Sequence, residues 1–149
     1  MRTIEREIVG GFIISSDDKI LLGKTGVYSG LWVVPGGGID PGETKLEALR
    51  REMLEETGID IRDAKIEDMK VDLIGESEKV LRDTGEKVHV KMRFHNYKIS
   101  LAQPADKIEI KMTDDLSGAA WFSRAELSKL ELSPPTISSL KKLGYLKNT

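Results

Sequence analysis

The stretch GGIDPGETKLEALRREMLEETGI, residues 37–59, decides how this chain folds. Its middle is a helix by several independent signs. Pro41-Gly42 turns the chain. Thr44 followed by Glu47 makes a capping box, so Thr44 is the expected N-cap. Leu46, Leu49, Met53 and Leu54 recur at helical spacing and form the expected core-facing stripe. Gly58 stands where a helix ends in a left-handed cap. The expected helix therefore runs from Lys45 to Thr57. Glu52, Glu55 and Glu56 then share one helical face, three and four residues apart. Like charges at that spacing repel. Such a face is either simply solvated or held together by positive charge, for which a hard divalent cation with oxygen ligands is suited.

The glycine loop and the acidic helix together resemble the Nudix box, G-x5-E-x7-R-E-U-x-E-E-x-G-U, where U is a bulky aliphatic residue. Gly37 is the first glycine, Glu43 the lone acid, and Arg51-Glu52-Met53 the central triplet. Glu55-Glu56 form the acid pair, and Gly58-Ile59 close the motif. All nine specified positions match, over 23 of the 149 residues. Leu31-Trp32-Val33-Val34-Pro35-Gly36 resembles the strand and turn that enter such a box. The resemblance implies an α/β (α+β) fold, a mixed β-sheet sandwiched between α-helices, with the box helix against one face.

Composition sets the outer limits. A chain of 149 residues with a 39% hydrophobic share and 32% charged residues suits one soluble globular domain, residues 1–149. The balance of 23 basic against 25 acidic side chains gives no sign of a nucleic-acid duplex binder. With no cysteine, disulfides, thiolate metal sites and cysteine nucleophiles are excluded. No run reaches the length of a membrane span, and the charged start MRTIEREIVG lacks the apolar core of a secretion signal. The expectation is a cytoplasmic protein.

The remaining elements follow from alternation and turn residues. Expected strands are residues 7–15, 19–22, 31–34, part of 66–73, 87–100 and 119–122. Gly10-Gly11 in the first marks a bulge or a close backbone approach. The polar stretch 75–86 reads as a loop or hairpin tip. Along 87–100, Val88, Val90, Met92 and Phe94 lie on one side; His89, Lys91, Arg93, His95 and Tyr97 form a basic, aromatic other side. Ser123 is an expected N-cap for a short helix, and Ser133-Pro134-Pro135 opens a last helix that Gly144 stops. Strands and helices without a steady βαβ rhythm again indicate a mixed sheet with helices packed on it.

Cleaving a phosphoanhydride requires charge neutralisation on the phosphoryl oxygens and an activated water, and magnesium supplies both. Magnesium takes only one or two carboxylates per ion, and manganese suits the same oxygen site. The Nudix resemblance implies Glu55 and Glu56 as chief metal ligands, the Gly37 carbonyl as a backbone ligand, and Arg51 as the residue that orients a glutamate. Glu52, at the edge of the cluster beside Arg51, is the candidate to ligate and to take a proton from water. Glu43 is either a further acid or a structural tie between loop and helix. Asp114 and Asp115 are candidates for an additional acid, with Glu76, Glu78 and Glu86 competing. Arg93 and Lys91 are candidate phosphate contacts, and Trp32 a candidate base contact whose alternative is edge packing. His89 and His95 receive no metal role.

The resemblance further implies Mg2+-dependent hydrolysis of a nucleoside diphosphate linked to another group. Marks of family branches are absent. No proline lies about 15 residues beyond the box, the first tyrosine after it is Tyr97, and the SQPWPFPxS array is missing. Elimination favours a (deoxy)nucleoside triphosphate pyrophosphohydrolase. A nucleotide-sugar or other diphosphate hydrolase is the alternative, and a non-catalytic nucleotide sensor the alternative of another class. A homodimer is common in the family.

Overall fold

A computed structural model describes residues 1–25, 30–71, 73–111 and 116–147. In chain order these form β1 (Arg2–Ile14), β2 (Ile20–Thr25), β3 (Trp32–Val33), β4 (Gly36–Gly38), α1 (Lys45–Thr57), β5 (Lys65–Asp68), β6 (Leu73–Val80), β7 (Lys87–Ser100), β8 (Leu116–Phe122), α2 (Arg124–Leu127) and α3 (Pro134–Leu143). No helix among them is long and apolar enough to cross a membrane.

The sheet is mixed, with strand order β3-β2-β1-β7-β5; β4 also pairs with β1, β6 with β7 and β8 with β2. Its spine is the parallel pair β1–β7, in register from Arg2↔Val88 to Ile14↔Ser100. β1 starts five residues before the expected Glu7 because β7 is long enough to give its polar N-terminal residues ladder partners. The first half of the stretch 75–86 is strand rather than loop, and the second half is the hairpin tip: β6 pairs antiparallel with β7 from Leu73↔Phe94 to Val80↔Lys87, and residues 81–86 turn the chain. Its polar alternation hid it, since β6 is an edge strand with little burial.

Both sheet faces are covered. Val9, Ile13, Leu21, Tyr97 and Ile99 pack with Ala48, Leu49 and Met53 of α1. Phe12, Ile14, Ile20 and Leu22 pack with Leu127 of α2, Leu140 of α3 and Tyr145. Gly10-Gly11 make no bulge, as the β1–β7 register runs through them unbroken. They permit close approach from each side. A β-carbon on Gly11 would stand 2.7 Å from Met53 Sδ, and one on Gly10 would stand 2.7 Å from Asn96 Oδ1. Tyr97 is buried rather than part of a solvated face, because α1 covers the C-terminal half of β7.

Candidate active site

Helix α1 has the expected bounds. Thr44 Oγ1 accepts from Glu47 N, Glu47 Oε1 accepts from Thr44 N, and Gly58 closes the helix at φ 75°. Its buried face differs from the expected stripe. Leu49 and Met53 are fully buried, but Leu46 and Leu54 are exposed, and the buried arc is completed by Glu52 and Glu56. Two carboxylates thus occupy positions where apolar side chains would contribute about 1.5–3 kcal/mol each. They also sit toward the negative end of the helix dipole, with no basic residue in the last turn. Glu55 departs from the expected cluster. Its side chain is 53% exposed and leans on Arg51 at 3.3 Å, because its place on the helical wheel turns it away from β4.

The two buried glutamates close on the glycine strand. Gly36 N donates to Glu56 Oε2 at 3.1 Å. The Glu52 carboxylate lies flat over Gly37: a β-carbon there would be 2.5 Å from Cδ and from both carboxylate oxygens. Gly11 N donates to Pro35 O, and Ile39 N donates to Glu7 O. Backbone groups alternate along a strand, so the Gly37 carbonyl turns toward β1. The carbonyls of Gly36 and Gly38 turn toward α1, and Gly38 O accepts from Arg51 Nη2 at 2.9 Å. Gly36, rather than the expected Gly37, therefore offers its carbonyl beside Glu56.

Arg51 is the hub. Nε and Nη2 donate to the two oxygens of Glu43 at 2.8 Å each, and Nη1 donates to Glu52 Oε1 at 2.8 Å. Asp40 N also donates to Glu43. Glu43 is thus the structural tie between loop and helix. Hydrogen bonding to Arg51 pulls its carboxyl down to about 2. The same bonds raise the Arg51 guanidinium above its ordinary value. Glu52 moves the other way: burial raises it, against the opposing pull of Arg51.

Among the described residues no three acidic or imidazole side chains converge as a ready cage. Two buried carboxylates and a backbone carbonyl nonetheless fit magnesium, which keeps several waters and takes one or two carboxylates. The glycine cradle that a β-carbon would fill is the geometric sign of that fit.

The other candidates are distributed more widely. Asp114 and Asp115 lie outside the described residues. Glu76 contacts His89, Glu78 pairs with Lys87 and Glu86 with Arg2, all along the β6–β7 hairpin and its junction with β1. His95 contacts Glu7. Lys91 and Arg93 line an open cleft of about 250 Å³ with Glu5, Arg6, Glu7 and Ile74. The register Glu7↔Arg93, Val9↔His95 and Gly11↔Tyr97 puts both cations on the α1 face of the sheet, beyond the helix. Trp32 packs edge-on against Phe122 at 4.8 Å, with Lys24 Nζ 4.8 Å from its ring, which is the edge-packing alternative. The reading from sequence missed Gly36, whose place in a glycine run was its only signal. It also missed Arg6, whose guanidinium would stand 2.8 Å from a β-carbon on Gly38 and which carries no motif.

Comparison with known proteins shows the family and the fold. The family model described as NUDIX domain matches residues 5–143. The nucleoside triphosphatase NudI of Enterobacter sp. (strain 638) is 30% identical over 144 residues, covering 90% of this chain and 94% of that protein. Its namesake in Escherichia coli K12 is 28% identical with the same coverage. Among solved structures, the E. coli dihydroneopterin triphosphate pyrophosphohydrolase shares the fold with a TM-score of 0.70 at 18% identity, over 93% of this chain and 96% of that one. The NUDIX domain of Shewanella oneidensis NrtR, complexed with ADP ribose, does so with 0.67 at 16%, over 95% and 87%. The chain belongs to the Nudix family and is a hydrolase of nucleoside diphosphate derivatives.

Proposed function

We propose that residues 1–149 form one catalytic domain that hydrolyses nucleoside or deoxynucleoside triphosphates to the monophosphate and pyrophosphate with the help of magnesium. The observation that carries this reading is the burial of Glu52 and Glu56 against the backbone of β4. Nudix hydrolases generally use divalent ions, and the relatives that cover 90% of this chain are named as nucleoside triphosphatases.

Glu52, Glu56 and the Gly36 carbonyl would hold the ion. Magnesium bound there would neutralise phosphoryl oxygens and acidify a water. Glu43 fixes Arg51, and Arg51 fixes Glu52 through Oε1. That leaves Glu52 Oε2 to take the proton of the attacking water as its oxygen bonds to phosphorus and the anhydride P–O bond breaks. Glu55 stands outside the buried pair and supports Arg51. Lys91 and Arg93, which line the cleft on the same sheet face, would meet the departing pyrophosphate. Asp114 and Asp115 are proposed for a further acid.

The test is turnover of a panel of nucleoside triphosphates, nucleotide sugars and ADP-ribose, with magnesium, with manganese and with a chelator. Pyrophosphate release from triphosphates that the chelator abolishes is the expected result, and Glu56→Gln should reduce it about 10³-fold. Turnover confined to sugars or ADP-ribose would replace the substrate assignment. Tight nucleotide binding without turnover would overturn catalysis altogether.

A further inference from the structure

The glycine strand carries opposite charges on its two faces. Val9 and Ile13 of β1 pack toward α1, and Phe12 and Ile14 pack toward α3. Side chains alternate along a strand, so Arg6 lies on the α3 side. The register Val9↔Gly37 and Ile8↔Gly38 divides β4 in the same way. A β-carbon on Gly37 would meet the Glu52 carboxylate, and one on Gly38 would meet Arg6 Nη2 at 2.8 Å. Gly38 has no positive φ, so its backbone does not require glycine. The missing side chain leaves room for the Arg6 guanidinium instead.

Nothing in the fold neutralises that guanidinium. Arg6 is exposed and makes no hydrogen bond or ion pair among the described residues. It also stands where the sheet has a step. β1 pairs with β7 from Arg2 to Ile14, but on its other side β4 ends at Gly38 and only the Ile39 N–Glu7 O bond continues the contact. Residues 2–6 therefore have no strand on that side among the described residues. Glu7 O faces that side, so by alternation the N–H of Glu5 opens onto the same bare edge. Across β1, Lys91 and Arg93 make no ion pair among the described residues either: Glu76 is taken by His89 and Glu7 by His95. Arg6 lines their cleft as well. Three unopposed cations and a backbone donor thus border one edge, a setting that draws an anion. The step at Gly38 lies two residues, about 7 Å, along the strand from the Gly36 carbonyl.

We propose that Arg6 grips the terminal phosphate of the substrate at this step and thereby selects triphosphates over diphosphates. The inference rests on the triphosphate reading above and adds a specificity determinant to it. With the α-phosphorus at the Gly36 end of β4, where attack occurs, the chain of two anhydride links runs toward Gly38. Its last phosphate reaches the guanidinium, whose fork suits two phosphate oxygens at once. A diphosphate is one link shorter and stops before it. When the α–β anhydride bond breaks, the same contact stays with the pyrophosphate.

The experiment compares kcat/KM, with magnesium, for dCTP against dCDP and for ATP against ADP, together with inhibition by free pyrophosphate and by the nucleoside monophosphate. The wild type is expected to favour the triphosphate of each pair. Arg6→Ala should lower kcat/KM for triphosphates about 10–100-fold, chiefly through KM, and for diphosphates far less. It should weaken inhibition by pyrophosphate by a similar factor and leave inhibition by the monophosphate unchanged. Arg6→Lys, which keeps the charge without the fork, should recover part of both losses. Because Arg6 is exposed and bonded to nothing described, both variants should melt with the wild type. Equal losses on triphosphates and diphosphates, or unchanged inhibition by pyrophosphate in Arg6→Ala, would overturn the inference. A wild type that hydrolyses triphosphates no better than diphosphates overturns this inference alone. A wild type that hydrolyses no triphosphate removes the triphosphate reading and this inference with it.

Discussion

Replacing Gly37 by alanine tests the geometry of the site with one methyl group. Gly37 is not among the glycines with positive φ, so alanine can adopt its backbone. The new β-carbon would stand 2.5 Å from all three atoms of the Glu52 carboxylate, about 0.9 Å inside the 3.4 Å where ordinary contact begins. Glu52 must move by about that much or change rotamer, and the Arg51 Nη1–Glu52 Oε1 bond of 2.8 Å would be strained or lost. A misplacement of about 1 Å in a positioning group costs about 10²-fold in rate. Steady-state pyrophosphate release with magnesium should therefore fall about a hundredfold in kcat, while circular dichroism and the melting temperature change little. Its neighbours grade the result. On Gly38 the methyl meets only the flexible end of Arg6, at 2.8 Å, so turnover should stay within a few-fold. On Gly36 it would stand 2.1 Å from Val9 O, and backbone must move; that overpacking should cost about 3 kcal/mol or more, a fall on the order of 10 °C in Tm. A Gly37→Ala enzyme with wild-type kcat would refute the placement of Glu52 over the glycine strand.

Arg51→Lys keeps the charge but cannot span Glu43, Glu52 and Gly38 O together; kcat should fall about 10–100-fold and stability by about 1–3 kcal/mol, measured by turnover and urea unfolding. Arg51 holds Glu43 at about 2, below the ordinary 4.5 of a glutamate, so its contribution is present above pH 4.5 and lost as pH falls toward 2. The gap in Tm between wild type and Glu43→Gln should accordingly narrow over that window, and a gap independent of pH would count against the tie. Tyr145 donates to Asp18 Oδ1 at 2.6 Å, and Arg124 lies over the Tyr145 ring at 3.9 Å. Tyr145→Phe should cost about 1–2 kcal/mol without changing kcat, since this clamp ties the β1–β2 turn to α2 and the segment after α3; a loss of turnover at unchanged stability would contradict that.

Helix α1 was legible to the residue because its bounds are set locally, by the Thr44–Glu47 box and the left-handed Gly58. The same holds for Ser123 and its bond with Glu126, and for the Gly144 stop after α3. What faces what was less legible. Apolar spacing put Leu46 and Leu54 in the core, yet both are exposed, while Glu52 and Glu56 are buried. Hydrophobicity orders a helical face only when burial is driven by transfer from water. Here two acids are drawn inward to a backbone that no helix periodicity can see.

The sequence by itself determined the family, the helix that carries the acids, and the residue types at the site, because caps, turns and motif spacing act over a few bonds along the chain. Only the tertiary structure decided three things. It separated Glu55 from the buried pair, it turned the carbonyl of Gly36 rather than Gly37 toward the helix, and it left Asn96 Oδ1 against Gly10 with no hydrogen-bond partner among the described residues. Each depends on contacts between strands or layers far apart in sequence. There, a strand's register and a helix's rotation about its own axis are set by packing rather than by local preference.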